Sequence, residues 1–206
     1  MLKFIDIDQN TDEWLELRAG RLTSSKLGVV MANYGKPFGE PAKKYAIDIA
    51  IERITGKPIP SGFSNQHTER GHEEEPIARR LYEQLTFTDT QNGGFYCNDW
   101  IGCSPDFNAG DCGLGEIKSS IPSVHFNRVK KGVLPSEHKW QCIGNLKFTG
   151  REWIDFINFC SSYPEDKQLF IKRINKTEVQ DEFKMIDSRL DEFKRLIDEC
   201  EKQIRC

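Results

Sequence analysis

Gly102-Cys103-Ser104-Pro105-Asp106 is followed, ten residues after the aspartate, by Glu116-Ile117-Lys118, and these two runs hold the residue types that phosphodiester hydrolysis requires. In a strand, side chains alternate, so Glu116 and Lys118 face one side while Ile117 turns into the core and offers its main-chain carbonyl at the edge. If Asp106 ends the preceding strand of a hairpin, its carboxylate meets that of Glu116 and creates a hard-oxygen site suited to Mg²⁺. One or two such ions would neutralise the charge of the pentacovalent transition state, and the Lys118 ammonium would orient the attacking water and favour hydroxide. Asp, Glu and Lys also fall at this spacing by chance, so the surrounding elements must decide.

Trp14, Leu15 and Leu17 among acids predict a short helix over Thr11–Arg18, with Thr11 or Asn10 as N-cap and Gly20 as the stop. Thr23-Ser24-Ser25 stands where a second helix would begin; its hydroxyls either help an anion to dock there or only cap that helix. Further helices are predicted over Pro41–Ile54, ended by Gly56 and the loop Pro58–Gly62, over Thr68–Leu85 and over Pro135–Phe148. Apolar runs at Gly94–Cys97, Trp100–Cys103 and Leu114–Lys118 read as adjacent central strands, and Trp153–Cys160 and Gln168–Ile174 as two more. From Val179 to Ile204, apolar residues recur at steps of four and three, which marks an amphipathic C-terminal helix within 175–206 that packs on its own sheet or on another subunit. Helices before and after a sheet make an α/β fold, and 1–206 is read as a single domain.

The sequence has 206 residues and a formal charge of −3, which argues against a protein that coats nucleic acid by overall basicity. Phosphate contacts would fall to a few placed cations, with Arg18, Arg21, Lys26, Lys43, Lys44, Lys130 and Lys131 available. Neither a leader peptide nor a membrane-spanning run is apparent, so the expectation is a soluble, cytoplasmic protein with its seven cysteines reduced and mostly buried. Cys97, Cys103, Cys112, Cys142 and Cys160 include no Cys-x-x-Cys pair, which weighs against a zinc or iron–sulfur site. His67, His72, His125 and His138 lack metal-ligand spacing and read as ordinary surface or helix residues, with His72 and His138 placed to lie near the site.

The Pro-Asp and Glu-Ile-Lys layout resembles the PD-(D/E)XK nuclease superfamily, and Trp14 to about Phe156 resembles its lambda exonuclease, or YqaJ viral recombinase, branch. Trp14-Leu15-Glu16-Leu17-Arg18 with Arg21-Leu22-Thr23-Ser24-Ser25 is similar to the opening motif of that branch. The resemblance gives Arg18 and Ser25 the role of holding the DNA 5′-phosphate, with Ser104 helping. Gly71-His72-Glu73-Glu74-Glu75-Pro76-Ile77-Ala78 resembles a helical motif whose glutamate joins the metal site; Glu75 matches best, leaving Glu73 and Glu74 as solvated neighbours. His138-Lys139-Trp140-Gln141 is similar to the helix that sends a glutamine towards the active centre, which nominates Gln141.

The resemblance implies a PD-(D/E)XK-like central mixed sheet flanked by helices. It implies catalytic Asp106, Glu116, Lys118, Glu75 and Gln141, with metal held by Asp106, Glu116, Ile117 and Glu75: Mg²⁺, one or two ions per site, with Mn²⁺ as a substitute. The implied enzyme digests one strand of double-stranded DNA from a 5′ end, as a homotrimer ring around the duplex, and passes the 3′ overhang to a single-strand annealing protein. Its setting is a bacterial cell, with a phage or prophage as one source of the gene. A PD-(D/E)XK endonuclease and a catalytically silent DNA-binding scaffold are the rivals; the intact Asp106, Glu116 and Lys118 weigh against the scaffold.

Overall fold

The structure, a computed structural model, describes residues 2–60 and 66–206, with the side chains of 66–69 left aside. Ser61 and Gly62 of the expected loop lie outside the described residues, as does the side chain of His67. Among the described residues there are two mixed sheets with helices packed around them. The smaller has strand order β1-β4-β5-β2, from Lys3–Ile5, Phe95–Cys97, Ile101–Cys103 and Leu22–Thr23. The larger has order β3-β6-β7-β8-β9, from Thr90–Asn92, Phe107–Ala109, Gly113–Ser119, Trp153–Phe159 and Leu169–Asn175. Only β7 and β8 run parallel in the larger sheet, because α5 (Pro122–Lys131) and α6 (Ser136–Thr149) form the crossover between them.

This arrangement corrects one expectation. The runs at 94–97 and 101–103 pair with each other in the small sheet, whereas 114–118 is the middle strand of the other. The hairpin partner of β7 is β6, three residues long and too short to show as a pattern. Asp106 therefore stands at the entry to β6 rather than at the end of a preceding strand, and its N–H donates to the Gly115 carbonyl at 3.0 Å. Gly115 is required there because a Cβ would lie 2.0 Å from the Phe107 ring.

Side-chain alternation sorts β7 between two cores. Ile117 turns towards α4 (Gln66–Thr86), joining Ala78, Tyr82, Phe107 and Ile157. Leu114 turns the other way, into the large core with Cys142, Ile143 and Leu146 of α6. Glu116 and Lys118 share the Leu114 side by the two-residue period and so face α6. The α4 helix is pinned by a polar triad: buried Tyr82 donates to buried Asp155 on β8 at 2.8 Å, and Arg173, exposed on β9, pairs with the same carboxylate at 2.8 and 2.9 Å.

The helices α1 (Asp12–Arg18), α3 (Glu40–Thr55) and α6 fall close to their expected spans. The Thr11 side chain accepts the Trp14 N–H, and α3 and α6 end on Gly56 and Gly150 in the left-handed region at φ 66° and 75°. α2 (Leu27–Met31) is a single short stretch entered through a 3-10 turn at Ser24–Lys26, and no hydroxyl of Thr23-Ser24-Ser25 caps it. α5 was not anticipated, because its apolar Phe126 and Val129 are exposed and its one buried side chain is His125.

The C-terminal helix α7 (Gln180–Arg205) begins after a 3-10 turn at Lys176–Glu178 and sets Ile186, Leu190, Phe193 and Ile197 mainly against α3, with contacts to α2 and α6. Its stripe is thus covered chiefly by helices of its own chain. Within it, Arg189 is 1% exposed, donates to the carbonyls of Val30, Ala32 and Lys36, and stacks 3.7 Å over Phe38. These bonds complete carbonyls at and beyond the end of α2. Arg189→Leu would leave them unmet, and urea unfolding is expected to show a loss of about 3 kcal/mol. A loss below about 1 kcal/mol would show that Arg189 does not anchor this region.

Candidate active site

Glu116 is the most enclosed acid of the site, 0% exposed, and each side chain hydrogen-bonded to its carboxylate is a donor. Lys118 and Gln141 meet Oε1, the glutamine at 2.6 Å, and Asn145 meets Oε2 at 2.9 Å. Gln141 and Asn145 are four residues apart on α6 and so project from one face of that helix. The Asp106 carboxylate accepts the main-chain N–H of Ile117, which locks the entry of β6 to β7. A strand residue turns its N–H and C=O to the same side, so the Ile117 carbonyl lies along the edge where Asp106 sits.

Glu75 joins this group across the cleft from α4. A single cavity of about 310 Å³ is lined by Glu75, Asp106, Glu116, Ile117, Lys118 and Gln141, and also by Trp14, Arg18, Ser25 and Ser104. Every sequence-predicted site residue therefore opens onto one space. Pro76, immediately after Glu75, removes the helix donor that would have met the His72 carbonyl, and His72 itself lines the cavity as expected.

Charge in this space is far from neutral water's terms. Burial, with Asp106 next, pushes Glu116 up to about 8 despite its donors, and Glu75 is pushed up to about 7 by burial and by Asp106. Asp106 is also raised by burial, with Lys118 and the Ile117 N–H pulling the other way. Lys118 rises above its usual value because Glu116 and Asp106 outweigh its own burial, so it remains an ammonium. Three carboxylates confined beside one ammonium form an acidic centre short of positive charge.

The second half of the cavity carries a guanidinium and hydroxyl groups. Trp14, 8% exposed, donates its indole N–H to Ser104 at 2.9 Å and carries Arg18 stacked 4.0 Å over its ring. Arg18 reaches the Ser25 hydroxyl at 3.4 Å, and that hydroxyl is 3.2 Å from Thr23 Oγ1. The Thr23-Ser24-Ser25 hydroxyls thus serve this pocket and the interior rather than a helix cap.

Three expectations are corrected or extended, and two residues are added. Glu74 is buried, not solvated: Ser161 donates to it, and Arg70 lies 3.8 Å away. His125 is fully buried between Asn158 and the Lys167 carbonyl, and burial lowers its affinity for a proton. His138 stacks on Phe156 behind the site, and burial lowers it to about 4. Asn145, buried against Glu116, and Ser24, buried against Asn145, were not singled out; Asn145 lies four residues after Gln141, and that spacing was the available signal. Of the cysteines, Cys97, Cys103, Cys142 and Cys160 are buried, Cys112 and Cys206 are exposed, and all seven are free.

A mixed sheet that places an aspartate at one strand's entry and Glu-x-Lys on the next, backed by helices on both faces, defines a nuclease of the PD-(D/E)XK type. The model of the YqaJ-like viral recombinase domain matches residues 13–152, more than half of the sequence, and the chain belongs to that family. An alkaline exonuclease from Laribacter hongkongensis, LHK-Exo, is similar at 28% identity and TM-score 0.79, over 95% of this chain and 98% of that one. The same enzyme in complex with dAMP matches equally. A phage-related exonuclease from Haemophilus somnus 129PT, 15% identical with TM-score 0.64 over 92% of this chain and 99% of its own, shares the fold. No curated protein matches the sequence significantly. Among the described residues no helix is long and apolar enough to cross a membrane.

The raised carboxylates fix the sign of a stability change in metal-free protein. The folded chain keeps protons on Glu75 and Glu116 that the unfolded chain releases near pH 4.5, so the stability they confer is full below that value and lost as pH rises through about 7 and 8. His138 acts oppositely but only below its unfolded value near 6.5, so its contribution is constant above that. The melting temperature in EDTA is expected to fall between pH 6.5 and 8.5, and Glu116→Gln to flatten that slope. A slope unchanged in the variant would mean that Glu116 is already ionised at pH 6.5.

Proposed function

We propose that this protein is a Mg²⁺-dependent exonuclease that digests one strand of linear double-stranded DNA from a phosphorylated 5′ end and leaves a 3′ single-stranded overhang for recombination. The observation that carries the reading is the shared cavity: the Arg18–Ser25–Ser104 pocket opens directly onto Asp106, Glu116 and Lys118. An enzyme that cuts within a strand has no use for a terminal-phosphate pocket beside its scissile centre, whereas one that starts at an end must hold that end in register.

The donor set fits a hard divalent cation. The carboxylates of Asp106 and Glu116 and the Ile117 carbonyl are all oxygen, Glu75 faces them, and their shortage of positive charge is what a cation relieves. Among the described residues no three Asp, Glu, His or Cys side chains converge as a ready-made ligand group. Asp106, Glu116, the Ile117 carbonyl and Glu75, completed by water, would hold the ion, in keeping with the habit of Mg²⁺ of retaining waters. Mn²⁺ satisfies the same oxygens. When bound, the ion supplies Lewis-acid neutralisation of the charge that builds on the phosphate.

The other roles belong to the chain's own residues. Lys118, kept protonated by its acidic neighbours, is a donor and not a base; it orients the attacking water and stabilises hydroxide. Gln141 holds Glu116 and lines the cleft from the α6 side. Arg18, desolvated and stacked on Trp14, offers a fixed guanidinium to the terminal phosphate, with the Ser25 and Ser104 hydroxyls beside it.

Family resemblance extends the proposal to a homotrimer ring around the duplex and to a single-strand annealing protein that takes the overhang. A formal charge of −3 fits retention by encirclement rather than by broad phosphate neutralisation. The test compares linear duplexes bearing 5′-phosphate or 5′-hydroxyl ends with covalently closed circles, in Mg²⁺, with Asp106→Ala as control. Rapid loss of the phosphorylated linear substrate alone is expected. Cutting of closed circles would make the protein an endonuclease, and no digestion by wild type would revive the silent scaffold.

A further inference from the structure

The two halves of the cavity are joined through the interior by a chain of buried side chains. Asn145 is 0% exposed and Ser24 2% exposed. Asn145 Nδ2 donates to Glu116 Oε2 at 2.9 Å, and the Ser24 hydroxyl donates to Asn145 Oδ1. Ser24 opens the 3-10 turn Ser24–Lys26, whose next residue presents its hydroxyl to Arg18. The contact depends on Gly144: a Cβ there would lie 2.8 Å from Leu27 and 3.2 Å from Ser24, so α6 reaches this turn only because residue 144 has no side chain.

With Glu116 ionised, the chain runs one way: the carboxylate only accepts, so it takes the NH₂ edge of Asn145, and the remaining amide oxygen can only accept, which claims the one proton of Ser24. Each polar atom between the pocket turn and the acid then has one partner, and displacement of either end breaks a buried hydrogen bond. Leucine at 145 would strand both neighbours, and aspartate would set another carboxylate against Glu116.

We infer that Ser24 and Asn145 are positioning residues that hold the terminal-phosphate pocket in fixed register with the Glu116 carboxylate. A phosphate seated against Arg18 and Ser25 thereby sets which phosphodiester lies at the catalytic acids. This rests on the proposed 5′-phosphate-dependent nuclease and adds the structural link between its recognition and its chemistry.

The relay gives its two members different signatures. Ser24→Ala frees the turn but leaves Asn145 on Glu116; Asn145→Asp keeps an acceptor for Ser24 but opposes Glu116. Two readouts are needed: the ratio of Mg²⁺-dependent digestion rates for 5′-phosphate and 5′-hydroxyl duplexes, and the ratio of affinities for the same duplexes by fluorescence anisotropy in EDTA. Wild type and Arg18→Ala serve as references. For Ser24→Ala, both ratios are expected to fall about tenfold towards those of Arg18→Ala, the size of one lost buried hydrogen bond to an anchored group. For Asn145→Asp, the affinity ratio is expected to persist while digestion of both ends drops about tenfold or more. Wild-type ratios in Ser24→Ala, or equal losses on both ends, would overturn the relay. A wild type indifferent to the 5′-phosphate would overturn the proposed function and the relay with it.

Discussion

The structure depends on one electrostatic constraint: the carboxylate of Glu116 is removed completely from solvent on a central strand, beside a second acid. Such a group is tolerated only when donors replace its lost water, and three do, from Lys118, Gln141 and Asn145. Two of the three come from α6, which fixes the rotation of that helix about its axis. The requirement reaches further, because the amide that serves Glu116 is itself completed by Ser24, which holds the turn before α2.

The opposite face of the sheet has its own constraint. Glu75 must reach the cleft from α4, and that helix is held by hydrophobic contact of Ala78 and Tyr82 with Phe107 and Ile117, plus the Tyr82–Asp155–Arg173 bonds. Residues 75 and 82 are seven apart and share a helix face, so the tether at Tyr82 orients Glu75. Asp106 is positioned between the faces by the Ile117 N–H. Acids from three separate parts of the chain therefore line one cleft, each held by a different kind of contact.

Much of this was legible in the sequence because strand alternation is strict. Glu116 and Lys118 had to share a side, and Ile117 had to face the core, before any fold was known. The spans of α3 and α6 were equally legible, and the Gly56 stop marks a real left-handed end. What escaped was nonlocal. The split into two sheets follows from pairing partners that alternation does not specify, and the three residues of β6 carry no period. Glu74 and His125 read as surface residues because nothing local announces Ser161, Asn158 or the Lys167 carbonyl. Trp14 was seen as part of a motif, but its position between Arg18 and Ser104 appears only in three dimensions.

The proposed divalent-cation site at the acidic centre is tested most directly by titration calorimetry of Mg²⁺ or Mn²⁺ into the protein at pH 6.5 and 8.5. Raised carboxylates must give up protons to bind a cation, so affinity should increase with pH, protons should be released on binding, and Asp106→Asn should abolish the signal. Binding of equal strength at both pH values, or binding that survives Asp106→Asn, would contradict it.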